Sequence, residues 1–168
     1  MWILPFLALM GCSQSKNDRT DMNLKGNVKS VWERTYVADI NDDVALKGKL
    51  MQSIKFVFNK QGRMEEVDWF DMDGDTVKRV CSEYDKNNVL VKRRIYNEFG
   101  KADGCSIFKH DEKGRVIETL FLDVDEYLVE REVIEYNDDN LIETSIIYGS
   151  KGETKIYYSA NQYKKKIL

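Results

Sequence analysis

Apolar and polar residues alternate along most of this chain, and short clusters of Asn, Asp and Gly interrupt the alternation at regular intervals. Runs such as Ile54-Lys-Phe-Val-Phe58, Val116-Ile-Glu-Thr-Leu-Phe-Leu122 and Leu128-Val-Glu-Arg-Glu-Val-Ile-Glu-Tyr136 are rich in Val, Ile, Phe, Tyr and Thr. β-branched and aromatic residues with a period of two predict strands. Connections as short as these clusters force consecutive strands to pair antiparallel.

The interruptions repeat. First turns read Phe58-Asn-Lys-Gln-Gly-Arg63, Tyr84-Asp-Lys-Asn-Asn-Val89, His110-Asp-Glu-Lys-Gly-Arg115 and Tyr136-Asn-Asp-Asp-Asn-Leu141, so their leading residues keep a constant interval of 26. A second turn recurs within each unit, as Phe70-Asp-Met-Asp-Gly-Asp75, Tyr96-Asn-Glu-Phe-Gly-Lys101, Leu122-Asp-Val-Asp-Glu-Tyr127 and Tyr148-Gly-Ser-Lys-Gly-Glu153. Each unit is therefore two strands and two turns. Asn or Asp at the first turn position can accept a hydrogen bond from the backbone two residues on, and the fourth position needs the left-handed conformation that closes a type I turn with a G1 bulge. That fourth position holds Gly62, Asn88, Gly114 and Asn140 in the first turns. Asn is the non-glycine residue best suited to positive φ, so the substitutions agree with the turn. In the second turns it holds Gly74, Gly100, Glu126 and Gly152, and Glu126 predicts a turn of different form.

With Val28 to Val37 and Lys49 to Phe58 upstream, and Glu153 to Ala160 at the end, the pattern predicts an all-β fold: an antiparallel meander of about ten strands. Met64, Leu90, Val116 and Ile142 share one face with Phe70, Tyr96, Leu122 and Tyr148, while Trp69, Ile95, Phe121 and Ile147 stripe the other. A sheet with one solvated face would alternate more cleanly. The expectation is a twisted open sheet or half-barrel, with a closed barrel as the alternative.

The first residues follow another pattern. Trp2 to Gly11 form an apolar run, interrupted by Pro5, that ends at Gly11-Cys12 and turns polar at Ser13-Gln14-Ser15-Lys16. It is too short to span a bilayer as a helix and reads as the apolar region of a signal peptide. No Lys or Arg precedes it, so the α-amino group of Met1 alone supplies positive charge. Leu9-Met10-Gly11-Cys12 resembles the lipobox of bacterial lipoproteins, which implies cleavage before Cys12 and lipidation of its thiol. The expected organisation is a signal peptide over residues 1–11, a flexible tether over 12–23 rich in Ser, Asn, Asp and Lys, and a β-repeat domain over 24–168.

The repeat carries a resemblance of its own. Tyr-Asp-x-x-Gly-Arg followed by alternating strands resembles the YD repeats of Rhs-type proteins. Still more does the chain resemble the repeat lipoproteins of Bacteroidota, in which a lipobox precedes Gly-x-Val-Lys-Ser-Val and then such repeats; here Gly26-Asn-Val-Lys-Ser-Val31 stands in that place. The resemblance implies a cell-envelope protein, held at the outer membrane, and it concerns architecture rather than chemistry.

Composition narrows the partners. The chain has 168 residues with 26 basic and 29 acidic side chains, a formal net charge of −3. No basic field draws it to nucleic acid, and the run Lys164-Lys165-Lys166 reads as a solvated tail. His110 is the single histidine, and it stands where other units have Phe58, Tyr84 and Tyr136, so it reads as the aromatic slot before a turn. Asp71-Met-Asp73-Gly74-Asp75 offers alternate carboxylates, but its glycine falls at four, where a calcium loop needs it at six. Cys81 and Cys105 lie on one face two strands apart, about twice the ~4.8 Å strand spacing and beyond the ~7 Å reach of a disulfide, so both are expected as free, largely buried thiols.

Trp32, Trp69, Tyr157 and Tyr158 remain as candidate ligand-facing aromatics, a set that could stack on sugar or peptide. No metal site, cofactor or catalytic constellation follows from the spacing of acids, bases and nucleophiles. The expectation is a non-enzymatic binding or interaction module, anchored to the membrane through Cys12 and facing a protein, peptide or glycan partner. A structural or protective envelope protein without a specific ligand is the alternative.

Overall fold

A computed structural model describes residues 17–41 and 44–159. It contains one short helix, α1 (Asp18–Asp21), and ten strands: β1 (Ser30–Asn41), β2 (Val44–Phe58), β3 (Met64–Phe70), β4 (Thr76–Tyr84), β5 (Leu90–Asn97), β6 (Ala102–His110), β7 (Val116–Leu122), β8 (Leu128–Tyr136), β9 (Ile142–Gly149) and β10 (Thr154–Ser159). They form a single antiparallel sheet in the order of the chain, from β1 at one edge to β10 at the other. The sheet is open, which excludes the closed barrel.

Eight turns of one design hold the meander. In each, the first residue donates its N–H to the carbonyl four residues on and accepts from the N–H three residues on, at 2.7–3.3 Å. The side chains of Asn59, Asp71, Asp85, Asn97, Asp111 and Asp123 each accept from the backbone N–H groups two and four residues ahead, at 2.9–3.1 Å. One short side chain therefore satisfies donors that the bulge leaves without a strand partner. Gly149 has no such side chain, and there the carboxylate of Glu153 accepts from Lys151 N–H at 3.2 Å. Asn88 and Asn140 take φ of 63° and 61°, as the repeat predicts. Glu126 corrects the expectation: it adopts φ of 63° and its turn keeps every bond of the others. The paired strands and Asp123 impose the left-handed conformation on a residue that does not favour it.

Two upstream features also differ from the sequence reading. Residues 17–21, assigned to a flexible tether, are docked. Asn17 caps α1 by accepting from Thr20 N–H at 3.0 Å, and Arg19 is buried. The Arg19 guanidinium donates to Asn27 Oδ1 and to the carbonyls of Val28 and Lys60, and its N–H donates to Gly62. Asp18 accepts from Met64 N–H at 2.6 Å. A Cβ at Gly62 would lie 2.6 Å from Arg19 Nε, so this glycine leaves the space the arginine fills. The polar composition that suggested a solvated tether instead matches the carbonyls of the first turn. The first hairpin is also longer than Val28–Val37 and Lys49–Phe58, pairing out to Asn41 and Val44. β3 follows β2 only as far as Ser53, opposite Phe70, so the remainder extends past the sheet as a two-stranded ribbon.

Among the described residues no second layer covers the sheet, and the buried apolar side chains are Phe58, Val67 and Cys105. Most other strand residues are half-covered by their cross-strand and diagonal neighbours. Such pairs, together with the turns, carry the stability that a two-layer domain takes from a shared core.

Candidate interaction surface

The register places side chains in rows that cross the sheet. Val31, Phe56, Val67, Val80 and Ile95 lie side by side over β1 to β5 on one face, an apolar row with Val67 buried and the others half-buried. On the opposite face the neighbouring row reads Trp32, Lys55, Asp68, Arg79, Tyr96. This second face is ionic over the first half of the sheet. Over β6 to β9 it is mixed, with Ile107 beside Leu120, Cys105 beside Leu122 and Val133 beside Ile146, and with Lys109, Glu118 and Arg131 among them. Apolar and charged side chains thus share this face, which explains why neither face reads as purely solvated in the sequence.

Two acidic groups organise the ionic face. Asp68 is 1% exposed and accepts from Arg79 Nε at 2.5 Å, with Lys55 Nζ at 4.0 Å on its other side. Glu118, two units on, is held between Lys109 and Arg131. The bonds from Lys109 and then Arg131 hold its carboxyl below the usual carboxylate range, against the opposing effect of burial. Each acid sits on a central strand with its two cations on the flanking strands, so the triads tie three strands together while meeting the charge of a covered carboxylate.

The aromatic slot before each first turn is also explained. Tyr84 donates its hydroxyl to the Met64 carbonyl at 2.8 Å, and Tyr136 donates to Val116 at 2.9 Å. Burial pushes the Tyr84 hydroxyl up to about 12. His110 occupies the same place, opposite Val116 as Tyr84 is opposite Leu90 and Tyr136 opposite Ile142. Burial pushes its imidazole below the ordinary value, partly offset by Asp85 and Asp111.

The four candidate aromatics are not brought together. Trp32 is exposed on the ionic face of edge strand β1, where it stacks on Phe70 with ring centroids 5.1 Å apart and lies beneath Arg34. Trp69 pairs with Ile54 on the opposite face, half-buried, with Lys78 Nζ 5.7 Å from its ring centre. Tyr157 and Tyr158 lie in β10, opposite Ile146 and Ser145. Nine strand spacings of ~4.8 Å separate β1 from β10, so one ligand cannot span the set. The period of two could have separated Trp32 from Trp69, but only with the register that fixes which residues face each other. Cys12 lies outside the described residues.

The remaining chemistry is structural in its placement. Cys81 and Cys105 flank Arg94 in one row, two strands apart as the spacing predicts, and both thiols are free. Cys105 is buried, whereas Cys81 is half-buried. Asp71 directs one carboxylate oxygen at the N–H groups of Asp73 and Asp75. Among the described residues, no three His, Cys, Asp or Glu side chains converge as a metal site. A shallow depression of about 50 Å³, bordered by Arg94, Cys105, Asp123 and Glu126, lies apart from His110.

No protein-family model matches the chain, and no curated protein matches it. Among solved structures the chain is similar to the Photorhabdus luminescens Tc holotoxin pore carrying a substitution in TccC3, at 7% identity and a TM-score of 0.26. The match covers 91% of this chain and 10% of that one.

Proposed function

We propose that this chain is a lipid-anchored bacterial envelope protein, attached to the outer membrane through Cys12, whose sheet acts as a non-enzymatic interaction module for a protein, peptide or glycan. Leu9-Met10-Gly11-Cys12 and the repeats that resemble those of Bacteroidota lipoproteins support the anchoring. The observation that carries the interaction reading is the apolar row Val31, Phe56, Val67, Val80, Ile95, in which Val67 is buried and the other four are half-buried. The half-exposed part of an apolar stripe costs solvation free energy in the free protein and is stabilised when a partner covers it.

The alternative is a structural envelope protein with no specific ligand. The two ion triads favour it, since they pair the covered carboxylates of Asp68 and Glu118 within the sheet itself. One retention experiment separates the two. The full chain, immobilised in detergent and exposed to envelope extract, retains a partner that Val80→Glu releases and Phe99→Glu, at an exposed turn, does not. Retention that ignores Val80→Glu, or no retention at all, supports the structural role.

A further inference from the structure

We propose that the edge of β10, which pairs with no other described strand, is a self-pairing edge at which two copies of this chain join antiparallel into one continuous sheet. The inference rests on the interaction reading above and names the partner at one edge.

The two edges of the sheet are built differently. β1 carries Glu33, Arg34 and Asp39, and its pairing is broken by register shifts at Thr35/Tyr36 and Tyr36/Ala38. Charges and bulges are the devices by which edge strands resist adding another strand. β10 has no proline, and after the shift beside its turn it pairs without interruption from Ile156 to Ser159.

The repeat shows what this position carries when it is covered. β8 stands one unit earlier with a strand on each side, and it holds Glu130 and Glu132 where β10 holds Ile156 and Tyr158. β6, likewise covered on both sides, holds Gly104 and Ser106 there. β4, also covered on both sides, holds Lys78 and Val80, so the strand that forms the edge of the described sheet is more apolar over the two places together than β4, β6 or β8. Ile156 is 57% exposed and Tyr158 is 55% exposed. Ile156 sits beside Ile147 of β9, so the apolar surface runs up to the edge.

The pattern is also self-complementary. Pairing β10 with a second β10 about a two-fold axis at Tyr157 sets Ile156 beside the partner's Tyr158, and Tyr158 beside the partner's Ile156. Aromatic and β-branched residues directly opposite each other are favourable cross-strand pairs, and symmetry supplies two of them. A foreign strand would have to bring apolar residues in matching register; the second copy does so by construction. Association stops at two, because each β10 edge consumes the other and the outer edges are the charged, bulged β1 strands.

The test is sedimentation equilibrium of the full chain in detergent across a concentration series. A monomer–dimer equilibrium is expected, and the double variant Ile156→Lys/Tyr158→Lys should weaken it by about tenfold or more. Phe99→Lys, at an exposed turn far from β10, should leave it unchanged. In a Cys12→Ser/Cys81→Ser/Cys105→Ser background, Tyr157→Cys should form a disulfide-linked dimer on mild oxidation and Thr154→Cys should not. A chain that stays monomeric to ~1 mM, or a dimer indifferent to the double variant, overturns the proposal. A monomer that still retains an envelope partner through Val80 overturns self-pairing and leaves the interaction reading intact. Dimerisation without such a partner supports self-pairing and removes the other.

Discussion

The hydroxyl of Tyr84 donates to the main-chain carbonyl of Met64, 2.8 Å away and 20 residues earlier in the chain. Tyr136 repeats the bond to Val116, so the tyrosine that opens a first turn also latches it to the start of the preceding hairpin. In the intervening unit the equivalent pair is His110 and Leu90. His110→Tyr should therefore place a hydroxyl against the Leu90 carbonyl and stabilise the fold by about 1 kcal/mol. Urea unfolding reads this as a higher midpoint at unchanged slope. A lower midpoint would show that the third unit lacks the latch geometry of its neighbours.

His110 also gives stability a pH dependence. Its folded-state pKa is lowered below the ordinary value of 6.5, so above that pH both states are neutral and the fold is unaffected. As pH falls through 6.5, the unfolded chain binds the proton first and stability declines toward the lower folded value. Unfolding midpoints between pH 7.5 and 5.5 should fall in the native chain, and His110→Tyr should remove that part of the decline. An identical slope in both would assign the titration elsewhere.

Glu118 acts in the opposite part of the range. Lys109 and Arg131 keep its carboxyl below the usual 4.5, so its contribution is complete above that value and is lost as pH falls through the folded pKa. Glu118→Gln should flatten the acid limb of the stability curve and leave two cations facing an uncharged group. Equal acid limbs in the two proteins would mean that the triad contributes nothing to the charge-linked stability.

The turn at Glu126 provides a cleaner local test. Its φ of 63° is one that glycine adopts without cost, and the exposed Lys92 ion pair at 3.4 Å offsets little of the strain. Glu126→Gly should raise stability by about 1 kcal/mol, measured as a rise in melting temperature. A fall would show that the ion pair outweighs the backbone.

The turns were legible because their chemistry is local: Asn88 and Asn140 declare a left-handed position by residue type, and the interval of 26 fixes where each turn falls. The cysteine separation followed from the same register. Glu126 misled because propensity at one position yields to two paired strands and the Asp123 cap. Docking of Asn17 to Asp21 was not legible because its partners, the carbonyls of Lys60 and Gly62, lie about 40 residues away and carry no side-chain signature. The candidate aromatics were found by type alone, and type does not say that Trp32 and Trp69 face opposite ways. The contrast between β1 and β10 appears only when the pairing identifies them as the edges.

Only an open sheet leaves the apolar row and the β10 edge available to a partner. Distance between spin labels at Trp32→Cys and Tyr158→Cys, in a chain whose other cysteines are replaced by serine, tests this directly. Nine strand spacings predict a separation of about 40 Å. A distance of about 10 Å or less would place β1 beside β10, close the sheet, and contradict the account.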